Sequence, residues 1–82
     1  MNITIYSTLN CTYCHALSSW LDEQKIVYQK IVIDKEPDGM TEFMKVNDGL
    51  FSVPLTIIKD KSGNETKISG FDKDKFKKVL EL

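Results

Sequence analysis

Arginine is absent from this 82-residue chain, and all eleven of its basic residues are lysines. A guanidinium clamp for phosphate or carboxylate is therefore excluded. Twelve acidic residues give a formal net charge of −1, which argues against a nucleic-acid-binding protein. No apolar run approaches membrane-spanning length, and no N-terminal segment joins a basic region to an apolar stretch. We therefore expect a soluble cytoplasmic protein that does not bind membranes.

Cysteine is scarce, since the chain contains only Cys11 and Cys14. Eighty-two residues provide for one small hydrophobic core, so we expect a single domain over residues 1–82. A disulfide between cysteines three residues apart closes a very short loop and stabilises a fold by only about 2 kcal/mol. The pair is therefore a poor structural crosslink, and we infer that the two cysteines have a chemical function.

Alternating and periodic apolar residues predict seven elements in the order β-α-β-α-β-β-α. Strands are expected at residues 3–6, 26–33, 55–58 and 65–69, and helices are expected from residue 11, from residue 38 to just before Asp48-Gly49, and after residue 72. This order predicts an α/β domain in which helices cover both faces of a four-stranded mixed sheet. The last two strands form a hairpin around Ser62-Gly63-Asn64.

Several local features make this prediction more specific. The apolar residues 31–33 suggest a strand buried on both faces. Asp38 is a candidate N-cap for the second helix and Asp72 for the third. Phe71 and Phe76 flank Asp72 at the spacing of a hydrophobic staple.

The segment Cys11-Thr12-Tyr13-Cys14 lies where the first strand gives way to the first helix, as in proteins that exchange thiols and disulfides. In that chemistry one thiolate attacks a disulfide and a second thiol resolves the mixed disulfide. Cys11 lies at the helix start, where unpaired N–H groups and the helix dipole favour an anion. Cys14 lies one turn later and should be more buried. Cys11 is therefore the predicted nucleophile and Cys14 the predicted resolving residue.

Three other interpretations of the two cysteines compete with this one. They could be buried apolar residues, but Cys11 precedes the apolar stripe of its helix. They could be half of a zinc site, but the only histidine, His15, adjoins Cys14, and no second cluster completes four ligands. The pattern Cys-x-x-Cys-His also matches c-type haem attachment, against which stand the missing export signal and the β-rich chain. We therefore expect no metal site.

His15 lies four residues after Cys11 on the same helical face, so its ring could approach the Cys11 sulfur. The alternative is an exposed histidine without a role. The second interpretation is favoured because the helix dipole disfavours a cation near the N-terminus.

Nearly the whole chain resembles a glutaredoxin, or one of the glutaredoxin-like redoxins that reduce ribonucleotide reductase. The resemblance depends on four segments in the family's order and spacing: Ile5-Tyr6-Ser7, Cys11-Thr12-Tyr13-Cys14, Ser52-Val53-Pro54 and Gly70-Phe71-Asp72. It implies a thioredoxin-like fold and a dithiol–disulfide oxidoreductase.

The resemblance also implies a substrate-binding set made of Tyr13, Val53, Pro54 and residues 70–72. A cis peptide bond before Pro54 would turn the Val53 backbone toward a bound thiol, although an ordinary proline at a strand start is the alternative. Gly70, Phe71 and Asp72 resemble the segment that holds the γ-glutamyl end of glutathione. Asp72 as a cap and Phe71 as a staple are equally good explanations, and Tyr13 is either a flank for the tripeptide or a simple exposed aromatic residue.

The chain departs from the family at Thr12, where a proline is usual, and at Thr8, where many members carry lysine. Ser52 replaces a common threonine, and Gly70 stands alone where many members have two glycines. The missing cation at Thr8 weakens the case for glutathione.

These features leave three candidate functions. The first is a monomeric oxidoreductase that holds no permanent cofactor, uses glutathione as co-substrate and reduces protein disulfides or glutathione mixed disulfides. The second is a redoxin that is recycled by a thioredoxin-reductase-like flavoprotein and donates electrons to ribonucleotide reductase. The third is a non-catalytic binder of an iron–sulfur cluster between subunits, which the resolving Cys14 argues against.

Overall fold

Seven elements are formed within residues 2–47 and 52–81, the part of the chain that the computed structural model describes. The strands are β1 (Asn2–Ser7), β2 (Gln29–Val32), β3 (Leu55–Lys59) and β4 (Glu65–Ser69). The helices are α1 (Thr12–Glu23), α2 (Pro37–Val46) and α3 (Lys73–Leu80). The predicted element order is confirmed. None of these helices is long and apolar enough to cross a membrane.

The four strands form one mixed sheet in the order β2-β1-β3-β4. β1 pairs in parallel with β2 and antiparallel with β3, and β3 pairs antiparallel with β4. The β3–β4 hairpin has the predicted turn, in which the Asp60 carboxylate accepts hydrogen bonds from the backbone N–H groups of Ser62 and Asn64 at 2.9 Å each. Gly63 supplies the positive φ of 87° that such a tight turn requires.

Helices cover both faces of the sheet, as predicted. Successive side chains of a strand point to opposite faces, so both faces of this sheet carry apolar residues that a helix must cover. On one face α1 and α3 pack over a cluster of Ile3, Ile5, Leu17, Trp20, Leu21, Ile58, Ile68 and Phe76. On the other face α2 packs over a smaller cluster of Tyr6, Ile33, Phe43, Leu55 and Ile57. The larger cluster lies directly beneath α1, the helix that begins at the cysteine pair.

β2 is shorter and more exposed than its sequence predicts. The strand begins at Gln29 rather than at Ile26, and Ile31 and Val32 are only half-buried. The prediction of burial on both faces is wrong because β2 is an edge strand and has a neighbour only on the β1 side. Only Ile33, just beyond the strand, is fully buried.

The start of α2 also differs from the prediction. The N-cap is Glu36 and the helix begins at Pro37, so Asp38 lies in the first turn instead of capping it. Proline suits this first position because its fixed φ is helical and its missing N–H is not needed there. Gly39 lets α2 approach the sheet closely, since an added Cβ would lie 2.5 Å from Cγ2 of Ile31. The Asp48-Gly49 turn predicted after α2 lies outside the described residues.

α3 begins as predicted. The Asp72 carboxylate caps the helix by accepting a hydrogen bond from the Lys75 N–H at 3.3 Å. The rings of Phe71 and Phe76 each lie 6.0 Å from the Trp20 ring, so both aromatic residues fasten α3 to α1. The end of the sheet that carries α3 is therefore fixed to the helix that begins with the cysteines.

Phe76 is completely buried between α3 and the sheet, whereas Val27 is 90% exposed on the connection that leads into β2. We expect Phe76→Ala to lower the free energy of unfolding by about 3–5 kcal/mol, because it removes a large core side chain and leaves a cavity. The matched control Val27→Ala should change it by less than about 0.5 kcal/mol. Urea denaturation of both oxidised variants measures the difference, and equal midpoints would contradict this account of the core.

Burial raises the pKa of the Tyr6 phenol above its ordinary value, and the negative charges of Glu42 and Glu65 raise it further. The unfolded chain therefore releases this proton at a lower pH than the folded protein does. Tyr6 consequently costs no stability below the unfolded pKa of about 10, and it destabilises the fold as the pH rises above that value.

We expect Tyr6→Phe to lose less stability than the parent protein between about pH 9 and about pH 11, because phenylalanine has no proton to release. Chemical denaturation of both proteins at the two pH values measures this difference, and lysine titration is common to both. An identical loss in parent and variant would show that the Tyr6 phenol does not contribute.

Candidate active site

The segments that carry the predicted site residues meet at one end of the sheet, where β1 and β4 end and β3 begins. β1 ends at Ser7, and the antiparallel pair of Tyr6 with Leu55 places the start of β3 beside that end. β4 ends there too, because Leu55 pairs with Ser69. The loop that leads to Cys11, the segment around Pro54 and the start of α3 therefore converge, although they are far apart in sequence.

Cys11 is the N-cap residue of α1, as the sequence predicts. Its backbone is extended, with φ −98° and ψ 107°, and its sulfur accepts a hydrogen bond from the Cys14 N–H at 3.1 Å. A serine or aspartate oxygen usually fills this position, so the sulfur takes the place of a capping acceptor. The helix start, with its unpaired N–H groups and positive dipole end, therefore faces the Cys11 sulfur.

Cys11 and Cys14 are joined in a disulfide, with their Cα atoms 5.1 Å apart. Cys11 is half-buried, whereas Cys14 is completely buried on the inner face of α1. An attacking disulfide or thiol from outside can therefore reach Cys11 far more readily than Cys14. Cys14 is therefore more buried than Cys11, as the sequence predicts.

Pro54 and Gly70 are brought into direct contact. The Val53–Pro54 peptide bond is cis, as the resemblance implies, and the Pro54 carbonyl accepts a hydrogen bond from the Gly70 N–H at 2.8 Å. Gly70 adopts a positive φ of 79°, which a residue with a side chain rarely adopts. Val53 is half-buried and packs against the α2 side of the sheet. The segment before it is held by Asn47, whose side-chain amide donates to the Ser52 carbonyl at 3.4 Å.

The other two residues of the predicted glutathione segment already have structural partners. Asp72 caps α3, and Phe71 packs against Trp20 with the ammonium group of Lys73 5.7 Å from its ring centre. The cap that is the alternative explanation for Asp72 is thus present, and Phe71 packs on Trp20, as Phe76 also does. A ligand-binding function for the same residues remains a prediction.

Tyr13 and Leu9 are the exposed apolar side chains nearest to Cys11 in the sequence. Tyr13 is 69% exposed and Leu9 is 47% exposed, one on each side of Cys11 along the chain. The large ring of Tyr13, two residues after Cys11, is therefore open to solvent.

Neither interpretation of His15 anticipates where its ring is. His15 is exposed, but its Nε2 lies 3.2 Å from the Leu9 carbonyl oxygen, which can only accept a hydrogen bond. The Leu9 N–H donates to the Asp34 carboxylate at 3.0 Å. Sequence reasoning missed Leu9 and Asp34, since only the parallel pairing of β1 with β2 brings residues so distant in sequence together.

No group of three or more histidine, cysteine, aspartate or glutamate side chains is placed to hold a metal ion within residues 2–47 and 52–81.

Comparison with known proteins agrees with this geometry. The glutaredoxin family model matches residues 3–62. Mycoredoxin 1 of Corynebacterium glutamicum is 37% identical over 59 residues, which are 72% of each chain. Escherichia coli NrdH-redoxin superimposes with a TM-score of 0.75 and 26% identity, and the match covers 96% of this chain and 95% of the redoxin. NrdH-redoxin is described as a glutaredoxin-like protein with a thioredoxin-like activity profile. A buckwheat glutaredoxin solved as a complex with glutathione superimposes with a TM-score of 0.67 and 26% identity. The match covers 96% of this chain and 69% of the buckwheat chain.

The family match covers the cysteine pair, both strands that flank β1, and the cis proline. The structural neighbours extend the likeness through β4 and α3 to almost the full chain. With a reachable sulfur at the helix start and a buried partner sulfur behind it, this chain belongs to the glutaredoxin family and is a thiol–disulfide oxidoreductase with the thioredoxin fold.

Proposed function

We propose that this protein is a cytoplasmic, monomeric dithiol reductase that acts on protein disulfides or glutathione mixed disulfides, with Cys11 as the nucleophile. The observation that carries the proposal is the asymmetry of the pair. Cys11 caps the helix and is half-buried, whereas Cys14 is fully buried one turn further along α1. A thiol exchange protein needs this arrangement, because the first sulfur must meet the substrate and the second must meet only the first.

The reaction consists of two sulfur exchanges. The Cys11 thiolate attacks one sulfur of the substrate disulfide, a new bond forms between that sulfur and Cys11, and the other substrate sulfur leaves as a thiolate and takes up a proton. Cys14 then loses its proton and attacks the Cys11 sulfur, which releases the second substrate thiol and leaves the Cys11–Cys14 disulfide. Two electrons pass from the cysteine pair to the substrate. Two molecules of glutathione, oxidised to glutathione disulfide, return the pair to its reduced form.

We propose that substrate is bound by the exposed ring of Tyr13, by the backbone of Val53 next to Pro54, and by the segment Gly70-Phe71-Asp72. An extended peptide can pair with the Val53 backbone as a short added strand. The Asp72 carboxylate is suited to accept the ammonium group of glutathione. The buckwheat neighbour, solved as a glutaredoxin–glutathione complex, supports glutathione as the co-substrate.

A second candidate reductant is a thioredoxin-reductase-like flavoprotein, and a specific observation favours it. The Gly70 N–H is already bonded to the Pro54 carbonyl and the Asp72 carboxylate already caps α3, so part of the potential glutathione site is occupied internally. Leu9 and Tyr13 meanwhile expose apolar surface on both sides of Cys11, which suits a protein partner. The likeness to NrdH-redoxin, with its thioredoxin-like activity profile, supports the same alternative. Ribonucleotide reductase is then the candidate acceptor of the electrons.

We expect Cys11→Ser to reduce insulin disulfides no faster than the uncatalysed background, because the attacking sulfur is gone. Cys14→Ser should also lose activity on insulin, but it should still remove glutathione from a glutathionylated peptide, because free glutathione can resolve that intermediate. Turnover of both substrates by the two variants measures this. Retention of insulin reduction by Cys11→Ser would contradict the proposed mechanism.

The reductant can be identified with a variant that keeps the helix cap and removes only its charge. Asparagine caps helices as well as aspartate does, so Asp72→Asn should leave α3 intact. If glutathione recycles the protein, we expect its KM to rise about threefold in this variant, through loss of one partly exposed ion pair. The matched control Asp74→Asn removes a carboxylate from the same helical turn without touching the cap, and its KM should not change.

The same assay distinguishes the second candidate. Oxidised protein that is reduced rapidly by NADPH with thioredoxin reductase, but not by glutathione with glutathione reductase, would exclude glutathione as the reductant and support the flavoprotein. An absorption spectrum of anaerobically purified protein tests the iron–sulfur alternative, since a cluster gives visible colour.

A further inference from the structure

The backbone of Leu9 is hydrogen-bonded at both its N–H and its carbonyl group. Its N–H donates to the Asp34 carboxylate at 3.0 Å, and its carbonyl accepts from the His15 ring at 3.2 Å. Leu9 lies two residues before Cys11, in the loop over residues 8–10 that joins β1 to α1. We refer to His15, Asp34 and the backbone of Leu9 as the loop clamp.

The two side chains of the loop clamp come from different elements that are themselves fixed. The ladder between β1 and β2 continues past its last pair, Ser7 with Val32, because the Ile33 N–H donates to the Ser7 carbonyl at 2.9 Å. Asp34 follows immediately and therefore lies beside the loop. His15 lies in the first turn of α1, where its own N–H donates to the Cys11 carbonyl at 3.2 Å.

The loop clamp gains importance when the protein is reduced. In the oxidised protein the disulfide to Cys14 holds the Cys11 sulfur in place. Reduction breaks that bond, and Cys11 is then held through hydrogen bonds: the Cys14 N–H to its sulfur, the His15 N–H to its carbonyl, and the loop clamp before it. A nucleophile must keep its orientation in the reduced state, because that is the state in which it attacks.

We propose that His15 and Asp34 are positioning residues that hold the loop through the carbonyl and the N–H of Leu9 and so keep the reduced Cys11 sulfur oriented for attack. The inference rests on the proposed function of Cys11 as the nucleophile. Neither side chain takes part in the exchange itself. His15 acts through its Nε2–H on the Leu9 carbonyl rather than as a charge beside the sulfur, and Asp34 acts as a hydrogen-bond acceptor.

The test uses pairs of variants that differ only in the hydrogen bond. His15→Ala and Asp34→Ala remove the two bonds, whereas His15→Gln keeps an N–H donor of similar reach and Asp34→Asn keeps an acceptor oxygen without the charge. Asp38→Ala is the matched control, since it removes a carboxylate from the first turn of α2, the helix that follows Asp34. Thermal unfolding of each variant verifies that it is folded.

The first measurement is the rate of iodoacetamide alkylation in a Cys14→Ser background, where Cys11 is the only thiol. We expect both alanine variants to react about fivefold more slowly, as the loss of one hydrogen bond predicts. The glutamine and asparagine variants should react within about twofold of the parent, and so should the control, because the hydrogen bond is kept in each.

The second measurement is turnover of insulin by variants that keep both cysteines. The alanine variants should show kcat lowered about fivefold with KM unchanged, because the loop clamp orients the attacking sulfur and does not bind substrate. A role confined to stability would lower the unfolding temperature without this separation of kcat from KM.

Alanine variants that react like the parent, or conservative variants that fall as far as the alanine variants, would overturn the loop clamp. This outcome is separable from failure of the proposed function. Alkylation measures Cys11 directly and needs no turnover, whereas the nucleophilic role of Cys11 is tested by Cys11→Ser alone.

Discussion

β1 is hydrogen-bonded on both sides, in parallel to β2 and antiparallel to β3, and the site depends on this pairing. This pairing places the ends of β1 and β2 and the start of β3 at the same end of the sheet. Three segments that are remote in sequence therefore become neighbours. They are the cysteine loop, the turn with Asp34, and the cis Pro54. β4 adds a fourth segment through the bond from Gly70 to the Pro54 carbonyl. A slip of one residue in either ladder would turn the buried side chains of β1 outward and separate these segments.

The helix start makes the two cysteines chemically different, although they are only one turn apart. Cys11 occupies the cap position, so its sulfur receives the backbone N–H of Cys14 and the positive end of α1. Cys14, by contrast, is completely buried. Cys14 thus contributes to the pair through two groups, because its amide donates to the Cys11 sulfur and its own sulfur forms the disulfide with Cys11. In the proposed mechanism the first step of exchange occurs at the more exposed residue, and the second step occurs within the helix.

Much of this arrangement could be predicted from the sequence, since it depends on local preferences. Apolar periodicity predicted the element order, the sequence around Cys11 predicted the start of α1, and Asp72 caps α3 as its residue type predicts. The wrong predictions concern β2 and the start of α2. The apolar residues around Ile31 suggest a central strand, but burial depends on the position of a strand in the sheet. Glu36 is the N-cap of α2 and the helix begins at Pro37, although the side chain of Asp38 is better suited to capping. The bond from Leu9 to Asp34 was invisible because it depends on the register between strands.

The charge distribution also explains what kind of ligand the site can bind. Glutathione carries two carboxylates and one ammonium group, and the chain has no arginine with which to clamp either carboxylate. Thr8 supplies no cation beside Cys11, and the Gly70 N–H is bonded to the Pro54 carbonyl. A carboxylate at this edge would therefore depend on the first backbone amides of α3, since Asp72 satisfies the amide of Lys75. Such amides donate hydrogen bonds to any carboxylate, so recognition of glutathione would depend chiefly on its ammonium group. A protein substrate would avoid this requirement, because in the proposed binding mode it pairs with the Val53 backbone and contacts the exposed side chains of Leu9 and Tyr13.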